Sequence, residues 1–581
     1  MPQQTATNYT KATPKSQFTV QTRRVFRPRD CAIYSLLTVV LAYELFRFGS
    51  RWLEMDGWSL HPVLLSIATV LIARKLFEFS VHWFLMPTMI DPVHVEPEPG
   101  LRVAAVTTFV PGGEPLEMLR HTLMAMAAMR YPHDTWLLDE GDDPAVRALC
   151  LELGVQHYSR WNKPRFQTEK GTYRSRTKYG NYNAWLADYG YDNYDVLAAF
   201  DCDHVPNEHF LTESLGYFRD QKVGYVQSAD AHYNKTASLV AYAGTEMAYP
   251  RAGTSQRIYY GLGHPYVIGS HNLHRMNALK SVGGFAAHDA DDMLITNQYR
   301  ARRWRGIYVP KIIARGLAPV TWDKFLIQWR RWIRSIADLK IGGHRYLDQP
   351  LPWGSRIVTV LIGLTLLEGL TTPVSLLVLM YILVTGAAVS STPMTLLGIV
   401  AEFMLVFLVL DFYRQRFLLD FKNEFGLYIR SAFARGLRWP VVVRGVFEAI
   451  TGWEGEYVLT KKTNDKPRLL LLKYHAPSLV VLLAAMLIGL FQESPYWLAY
   501  ASAVNYLVVF GGFIAYDVFR THPEPFDAKI LREQWSASSG DAFDEANTEG
   551  FVDAGGFKFL QAQEPLPDGH TVALTNANAH S

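Results

Sequence analysis

Long apolar segments on both sides of a polar middle region most constrain how this chain of 581 residues folds. They lie at about 31–48, 60–77, 355–388, 393–412, 470–491 and 495–517. A helix of about 20 apolar residues is long enough to cross the hydrocarbon core of a bilayer. The sequence therefore predicts a membrane protein whose helices flank a middle region, about 95–350, of ordinary globular composition.

The number of spans depends on the segment 355–388, which is too long for a single crossing. Its first half contains Arg356 and Glu368, so we expect an interfacial helix over about 354–370 and a span over about 371–388. This interpretation gives six spans. Two spans within the segment would give seven, and that count remains the alternative.

Six spans put both termini, the middle region and the loop 414–468 on one side of the membrane. The arginines near the first span and in the loop then share the cytoplasmic side, as the positive-inside rule expects. These arginines are Arg23, Arg24, Arg27, Arg29, Arg430, Arg435, Arg438 and Arg444. Seven spans would move the loop to the other side, against its charge.

The charge and cysteine content of the chain limit which partners and which compartment it is suited to. Charged residues make up 19% of the chain and the net charge is only +3, so there is no concentrated basic field for nucleic acid. The three cysteines are too few and too scattered for a disulfide framework, which fits a reducing compartment. The polar, acidic tail from about 520 lacks apolar periodicity and is expected to be largely disordered.

The middle region alternates predicted strands and helices, which indicates an α/β fold with a parallel sheet. Buried strands are expected at LRVAAVTTFV (101–110), TWLLDE (135–140) and YDVLAAFDCDHV (194–205), with helices over 115–130 and 144–154. Ligands of such sheets bind outside the carboxyl ends of the strands. Acidic residues end two of these strands, so we expect a site there.

Several acidic and aromatic residues are candidates for chemistry, although each has an ordinary structural explanation. Asp201 and Asp203 lie on one face of an extended segment and suit Mg²⁺ or Mn²⁺, with His204 as a nitrogen ligand. An isolated Asp-x-Asp is more often a solvated turn. The Asp291–Asp292 pair also fits the start of a helix, where the helix dipole stabilises negative charge.

The joint order of these motifs is far more specific than any one of them. Asp139 is followed by Asp201 and Asp203, then by Asp292, and after 35 further residues by Gln-x-x-Arg-Trp beginning at Gln328. This order resembles the membrane-embedded family 2 glycosyltransferases, the inverting group of cellulose, chitin, hyaluronan and curdlan synthases. The resemblance covers about 100–345 and implies a GT-A type α/β domain that binds a nucleotide sugar.

The resemblance implies a role for each matching residue. The residues that would contact the nucleotide of a UDP-sugar are Thr107, Thr108, Glu114, Asp139 and Lys178. Asp201 and Asp203, with His204 beside them, would hold the diphosphate and its Mg²⁺ or Mn²⁺. Asp292 would be the general base, with Asp291 beside it. The residues that would bind the acceptor sugar and the departing diphosphate are Ser270, Gln328, Arg331 and Trp332. A gating loop would contain Tyr457, Thr460 and Lys461.

The same resemblance orders the domains along the chain. We expect a cytoplasmic N-terminal segment (1–28), two spans (29–94), the GT-A domain (95–350), an interfacial helix with two spans (351–413), cytoplasmic interfacial helices with a gating-like loop (414–468), two further spans (469–518) and a polar tail (519–581). The location implied is a bacterial inner membrane with the catalytic domain in the cytoplasm. Candidate residues for a channel through the spans are Glu368, Tyr381, Glu402, Trp497 and Tyr506.

The expected function is polymerisation of UDP-glucose into a β-glucan that leaves through the enzyme's own channel. Departures from cellulose synthase patterns, such as VTTFVPGGEP (106–115) and VIGSHN (267–272), favour a β-1,3 or mixed linkage. Trp329 replaces an Arg of many relatives, which removes one phosphate contact. A synthase that uses UDP-N-acetylglucosamine, a non-processive transferase to a lipid and a non-enzymatic transporter are the alternatives. Accessory export or regulatory proteins are expected partners, besides the polysaccharide and membrane lipid.

Overall fold

The computed structural model describes residues 18–341, 349–387, 390–453, 468–494, 496–520, 526–527 and 529. One compact unit spans Met1–Ala528 and contains all of these residues except Lys529. The predicted gating residues Tyr457, Thr460 and Lys461 lie outside the described residues, as does nearly all of the predicted tail.

Strands occur mainly in the middle region. They are β1 Thr22–Arg24, β2 Ile90–Pro92, β3 Val103–Phe109, β4 Asp134–Asp139, β5 Gln156–Tyr158, β6 Val196–Asp201, β7 Val205–Pro206, β8 Val223–Ser228, β9 Asn272–Arg275, β10 Arg305–Val309 and β11 Ala314–Arg315. The three predicted strand segments coincide with β3, β4 and β6, although β4 begins one residue earlier, at Asp134, and β6 covers only half of its segment.

The main sheet has seven strands in the order β10-β8-β9-β6-β3-β4-β5. Six of them are mutually parallel, but β9 runs antiparallel between β8 and β6. The predicted parallel sheet is therefore correct for six strands and wrong for β9. Because β9 is reversed, its amino end lies at the same edge as the carboxyl ends of β3, β4, β6 and β8.

Helices of the middle region cover both faces of the sheet. They are Leu116–Ala127, Pro144–Glu152, Lys178–Trp185, Tyr191–Asn193, Phe210–Ser214, Leu239–Pro250, Gln256–Gly261, Met276–Ser281, Asp291–Ala301 and Trp322–Ile341. Side chains alternate between the two faces, so Ala104 and Val106 of β3 pack with Tyr182 and Trp185, whereas Ala105 packs on the opposite side. Two separate apolar layers therefore hold the strand ends in place.

Long apolar helices precede and follow this domain. The helices outside the sheet region are Pro28–Leu53, Gly57–Leu60, Pro62–Leu85, Trp353–Gly363, Thr365–Thr385, Pro393–Gln415, Phe421–Glu424, Ile429–Leu437, Trp439–Thr451, Leu470–Phe491 and Trp497–Phe519. Within the described residues, five helical stretches are long and apolar enough to cross a membrane: Pro28–Leu53, Trp353–Thr385, Pro393–Gln415, Leu470–Phe491 and Trp497–Phe519.

Two details differ from the sequence expectations. The predicted second span forms the helix Pro62–Leu85, which contains the charged residues Arg74, Lys75 and Glu78 and is not among those five. The predicted interfacial helix ends at Gly363 rather than near residue 370, and the following helix begins at Thr365.

Candidate active site

The register of three strands brings the predicted polar residues to one edge of the sheet. In the β3–β6 pair Thr108 lies opposite Asp201, and in the β3–β4 pair Phe109 lies opposite Asp139. Paired residues of adjacent strands have Cα atoms about 5 Å apart. Two acidic residues that are far apart in the sequence are thus neighbours across one strand.

Asp139 is fully buried and its carboxylate organises the turn that follows β4. It accepts hydrogen bonds from the backbone N–H groups of Gly141 at 2.9 Å and Asp143 at 2.6 Å. The His157 ring lies 3.3 Å from the same carboxylate. Asp139 therefore has a structural task in addition to the nucleotide contact that the resemblance implies.

A buried ion pair that the sequence analysis missed lies beside Asp139. The Arg160 guanidinium, which is fully buried, donates to both oxygens of Glu140 at 3.0 and 2.8 Å. Further donations go to the carbonyls of Phe166 and Tyr173, both at 3.0 Å. The pair connects the 160–177 loop to the end of β4. The only sequence signal for this pair was that Glu140 directly follows Asp139.

The other predicted nucleotide residues line the same edge of the sheet. Thr107 is buried, and its hydroxyl has no hydrogen-bond partner among the described residues. Thr108 is half-buried at the end of β3. Glu114 accepts a hydrogen bond from the backbone N–H of Val110 at 3.3 Å, which closes the turn after β3.

Lys178 begins a short helix whose residues lie directly behind the strand ends. The Thr177 hydroxyl caps this helix by accepting the Gly180 N–H at 3.2 Å. The Tyr182 hydroxyl donates to the carbonyls of Val106 at 2.9 Å and Phe200 at 3.2 Å. These bonds fix the helix against β3 and β6, so the Lys178 side chain points to the site from a rigid support.

The Lys178 ammonium joins two other parts of the site. It forms an ion pair with Asp201 and also donates to the carbonyl oxygen of Gly269. Burial lowers the pKa of Lys178, but the interactions with Asp201, Tyr182 and Asp291 together outweigh burial, so the pKa lies above its usual value. The ammonium therefore stays charged at neutral pH.

Asp201, Asp203 and His204 have ligand atoms within 4.8 Å of one another. Asp203 is buried and lies 3.1 Å from the His204 ring, whereas the Asp201 side chain is 34% exposed. Burial lowers the pKa of His204, but the carboxylates of Asp203, Asp201 and Asp230 together raise it above its usual value. Two carboxylates of different exposure beside an imidazole suit Mg²⁺ or Mn²⁺, so this donor set fits a divalent ion.

A second group with metal-ligand chemistry, Asp139, Asp142 and His157, also has its ligand atoms within 4.8 Å. Asp142 forms an ion pair with Arg147, and Asp139 already accepts two backbone N–H groups. The donors of this group are thus largely engaged by the protein, and the Asp201 group is the better metal candidate.

The segment before β9 supplies two polar residues to the metal candidate. The Ser270 hydroxyl accepts the backbone N–H of Asp201 at 2.9 Å, so this predicted site residue does lie at the site. The His271 ring stacks on His204, with centroids 5.1 Å apart. Both His271 ring nitrogens are buried without a partner among the described residues. The sequence analysis missed His271, whose only signal was its place directly after Ser270.

Asp291 and Asp292 are the first two residues of the helix Asp291–Ala301. Asp292 accepts the backbone N–H groups of Gly269 at 3.0 Å and Met293 at 2.7 Å. Burial raises the pKa of both carboxyls, and the charge of Asp292 further raises that of Asp291 to about 7. A pair of carboxyl groups that share a site in this way can hold a proton near neutral pH.

Gln328, Arg331 and Trp332 are partly buried on the helix Trp322–Ile341. The His288 ring, three residues before Asp291, lies 2.8 Å from Asp338 of this helix, and Met293 packs against the apolar cluster that includes Ile333 of the same helix. The Trp329 and Trp332 rings meet edge to face at 5.2 Å. These contacts hold the Gln-x-x-Arg-Trp motif beside the helix that begins with Asp291 and Asp292.

Trp329 has a contact that the sequence comparison did not indicate. The guanidinium of Arg438 lies 3.9 Å from the centre of the Trp329 ring and also pairs with Glu368 of the helix Thr365–Thr385. The neighbouring Arg330 pairs with Glu448 at 2.6 Å. Trp329 and Arg330 therefore anchor the motif to the helices that follow it in the chain.

Comparisons with known proteins place this site in a family. The pattern described as "Glycosyl transferase family group 2" matches residues 197–410, which include Asp201, Asp203, Asp292 and the Gln-x-x-Arg-Trp motif. The chain is similar to the cellulose synthase catalytic subunits (UDP-forming) of Xanthomonas axonopodis pv. citri and Pseudomonas fluorescens. Each is 28% identical, over 42% and 49% of this chain and over 33% and 39% of the relative.

Other similarities are more distant. Cellulose synthase 1 of Komagataeibacter xylinus is 24% identical over 43% of this chain and 16% of its own length. A solved mannosyltransferase from Pyrobaculum calidifontis, in complex with GDP-Man and Mn²⁺, covers 68% of this chain and 99% of its own, at 14% identity and a TM-score of 0.44.

The site and the family match define the class of the protein: the chain carries a glycosyltransferase domain of family group 2. Among proteins of this kind, the domain is similar to the catalytic subunits of cellulose synthases. The predicted family is confirmed, as is the predicted α/β glycosyltransferase fold class with apolar helices on both sides. The chain spans less than two fifths of the length of the first two relatives it matches.

Proposed function

We propose that this chain is an inverting membrane glycosyltransferase that transfers sugar from a UDP-sugar to a growing β-linked polysaccharide. The single observation that carries the proposal is the hydrogen-bonded series Asp201–Lys178–Gly269–Asp292. It joins the metal candidate to the carboxylate in the position of the family's general base. Donor and acceptor chemistry would thus take place within one connected site.

In this proposal the donor lies along the strand ends. Thr107, Thr108, Glu114 and Asp139 would hold the uridine, and the unpartnered Thr107 hydroxyl offers a hydrogen bond to it. Asp201, Asp203 and His204 would hold Mg²⁺ or Mn²⁺, which supplies a Lewis acid for the diphosphate oxygens. The Lys178 ammonium would stabilise the negative charge that develops on the leaving diphosphate.

Asp292 would remove the proton of the acceptor hydroxyl. The acceptor oxygen then bonds to the anomeric carbon from the face opposite UDP, the bond to UDP breaks, and UDP leaves with the electron pair. No covalent enzyme intermediate is required, which agrees with inversion at that carbon. The raised pKa of Asp292 makes it a stronger base than an ordinary aspartate. Trp332 would stack on the acceptor sugar, with Gln328, Arg331 and Ser270 around it.

Translocation of the polymer through the helix bundle is part of the proposal. A polar polymer cannot cross lipid unaided, so its path needs polar side chains that face the bundle interior. The buried hydroxyl groups of Tyr496 and Tyr500, in or next to the last apolar helix, have no partner among the described residues. These groups are the kind of donors and acceptors that such a path needs.

The finer identity of donor and product is proposed as UDP-glucose and a β-glucan, of β-1,3 or mixed linkage, made at a bacterial inner membrane with the domain in the cytoplasm. The test is to reconstitute the purified chain in lipid with each UDP-sugar and with Mg²⁺ or Mn²⁺. UDP release identifies the donor, and linkage-specific digestion of the product identifies the bond. A product with a single sugar on a lipid would contradict processive synthesis, and UDP-N-acetylglucosamine as the sole active donor would contradict a glucan.

A further inference from the structure

A cavity of about 310 Å³ lies between the helix Leu239–Pro250 and the segment 423–430. None of the proposed catalytic or binding residues lines it. Its walls contain three tyrosines, Tyr242, Tyr249 and Tyr428, and two buried carboxylates, Glu246 and Glu424. Aromatic faces combined with carboxylates form the usual environment for an organic cation.

One half of this cavity already holds a cation of the protein itself. The Arg430 guanidinium lies 4.1 Å from the centre of the Tyr242 ring. The same guanidinium is 3.1 Å from the Glu246 carboxylate, whose other oxygen accepts the Ser431 N–H at 2.9 Å. One tyrosine face and one buried glutamate are thus sufficient to bind a cation at this place.

The other half has the same kinds of side chain around a second buried glutamate, Glu424. Its carboxylate accepts the Asp420 N–H at 3.3 Å, and the charge of Arg315 acts on it, but no ion pair of 4.0 Å or less joins it to a basic side chain among the described residues. The Tyr249 and Tyr428 rings lie 6.1 Å apart on this side, and the Tyr428 hydroxyl is buried without a hydrogen-bond partner among the described residues. Burial raises the pKa of Glu424 to about 7, which a bound cation would reverse.

The surroundings of the cavity indicate where a cation would come from. Phe421, Phe425, Leu427 and Ile429 each expose about half of their surface. They follow closely on the end of the apolar helix Pro393–Gln415, which is long enough to cross a membrane. Exposed apolar side chains next to a span are typical of a segment that lies in the bilayer interface, at the depth of the lipid headgroups.

We propose that this cavity binds the primary ammonium group of an aminophospholipid headgroup, that of phosphatidylethanolamine. The ammonium would donate hydrogen bonds to Glu424 and to the Tyr428 hydroxyl, between the Tyr249 and Tyr428 rings. A quaternary ammonium has no N–H group and cannot make those bonds. Lys235, whose ammonium donates to the carbonyl of the cavity residue Asn423 at 3.4 Å, lies close enough to the cavity to meet the lipid phosphate.

The test uses native mass spectrometry, which measures the lipid that stays bound to the full chain after its release from nanodiscs into the gas phase. Nanodiscs contain phosphatidylglycerol with phosphatidylethanolamine or phosphatidylcholine, and the variants are Glu424→Gln and Tyr428→Phe. The matched control is Glu117→Gln, which removes an exposed carboxylate on a distant helix. We expect wild type and control to retain phosphatidylethanolamine, and Glu424→Gln to bind it roughly tenfold more weakly because a charged hydrogen bond is lost.

Several outcomes would overturn the proposal. Equal retention of phosphatidylethanolamine by wild type and Glu424→Gln would do so, as would equal retention of phosphatidylcholine and phosphatidylethanolamine by wild type. A further measurement distinguishes a lipid headgroup from a soluble amine as the source of the cation: free ethanolamine is added to the protein in nanodiscs that contain only phosphatidylglycerol. Saturable binding of free ethanolamine without retained aminophospholipid would assign the cavity to a soluble amine. If Glu424→Gln fails to fold, Tyr428→Phe gives the same readout with a smaller expected loss.

Discussion

The carboxylate of Asp292 accepts a hydrogen bond of 3.0 Å from the backbone N–H of Gly269. The carbonyl of the same glycine accepts a hydrogen bond from Lys178, which pairs with Asp201. One residue of the segment before β9 therefore contacts both the donor side and the acceptor side of the proposed site.

Asp292→Asn is expected to abolish catalysis without unfolding the protein. The amide oxygen can still accept the Gly269 N–H, but the side chain can no longer take a proton from the acceptor. Loss of a general base lowers rates by about 10²- to 10⁴-fold, measured here as UDP release in lipid. Asp289→Asn, three residues earlier, is the control that should retain activity. Loss of less than tenfold in Asp292→Asn would contradict the assignment of the base.

The rate of UDP release should rise with pH across the range near 7. Asp292 acts as a base only when it is deprotonated, and the carboxyl pair retains a proton to unusually high pH because burial raises both pKa values and the charge of Asp292 further raises that of Asp291. Asp291→Asn removes the neighbouring charge and is expected to shift the acidic limb of the profile to lower pH. An unchanged limb in this variant would show that another group controls it.

The same raised pKa predicts how stability depends on pH. The folded-state pKa of Asp291, about 7, exceeds the ordinary aspartate value of 3.8, so the folded state binds the proton more tightly. This contribution to stability is complete at low pH and is lost as pH rises from about 4 to about 7. Asp291→Asn should therefore gain stability relative to wild type over that range, as measured by thermal unfolding at each pH.

Gly316→Ala is expected to displace His204. A β-carbon on Gly316 would lie 2.3 Å from Nε2 of His204, too close for the ring to remain in place. If His204 is a ligand, the affinity for Mn²⁺ should fall by roughly tenfold or more, measured by paramagnetic resonance of bound Mn²⁺. Gly244→Ala is the matched control, since nothing lies within 4 Å of its added carbon. Unchanged affinity in Gly316→Ala would remove His204 from the ligand set.

Arg160→Met should destabilise the domain strongly because it leaves Glu140 buried without its partner. Breaking a buried pair in this way costs about 3–5 kcal/mol in the free energy of unfolding. Arg120→Met breaks the exposed pair with Glu152 and is expected to have a far smaller effect. Denaturant unfolding followed by tryptophan fluorescence measures both variants. Similar losses in the two would show that burial does not distinguish the pairs.

Local sequence pattern was sufficient to locate the strand ends and their acids. Asp139 and Asp201 end strands whose apolar runs are unmistakable, and adjacent parallel strands necessarily bring their ends together. The reversed strand β9 was not predictable, because NLHR is short and polar and its direction is set by pairing with β6 and β8. The Gly269 and His271 contacts depend on that reversal, so they were missed with it.

The acidic residues of the apolar helices show a second limit of sequence reasoning. Glu368 and Glu402 were candidates for a polar channel because acids are rare within apolar segments. In the structure Glu368 pairs with Arg438, and Glu402 lies 2.8 Å from Arg47 and 3.2 Å from Arg51. Their partners are 70 and about 350 residues away in the chain, and no local pattern identifies contacts at such separation.

Arg438 has a mechanical consequence for the proposed synthesis of a polymer one sugar at a time. It lies over Trp329, next to the proposed acceptor platform Trp332, and is paired with Glu368 in the helix Thr365–Thr385. In the proposed polymerisation, each added sugar would displace the product relative to Trp332. Arg438 connects Trp329, the neighbour of Trp332, to an apolar helix, and this connection would hold Trp332 in place while the product moves.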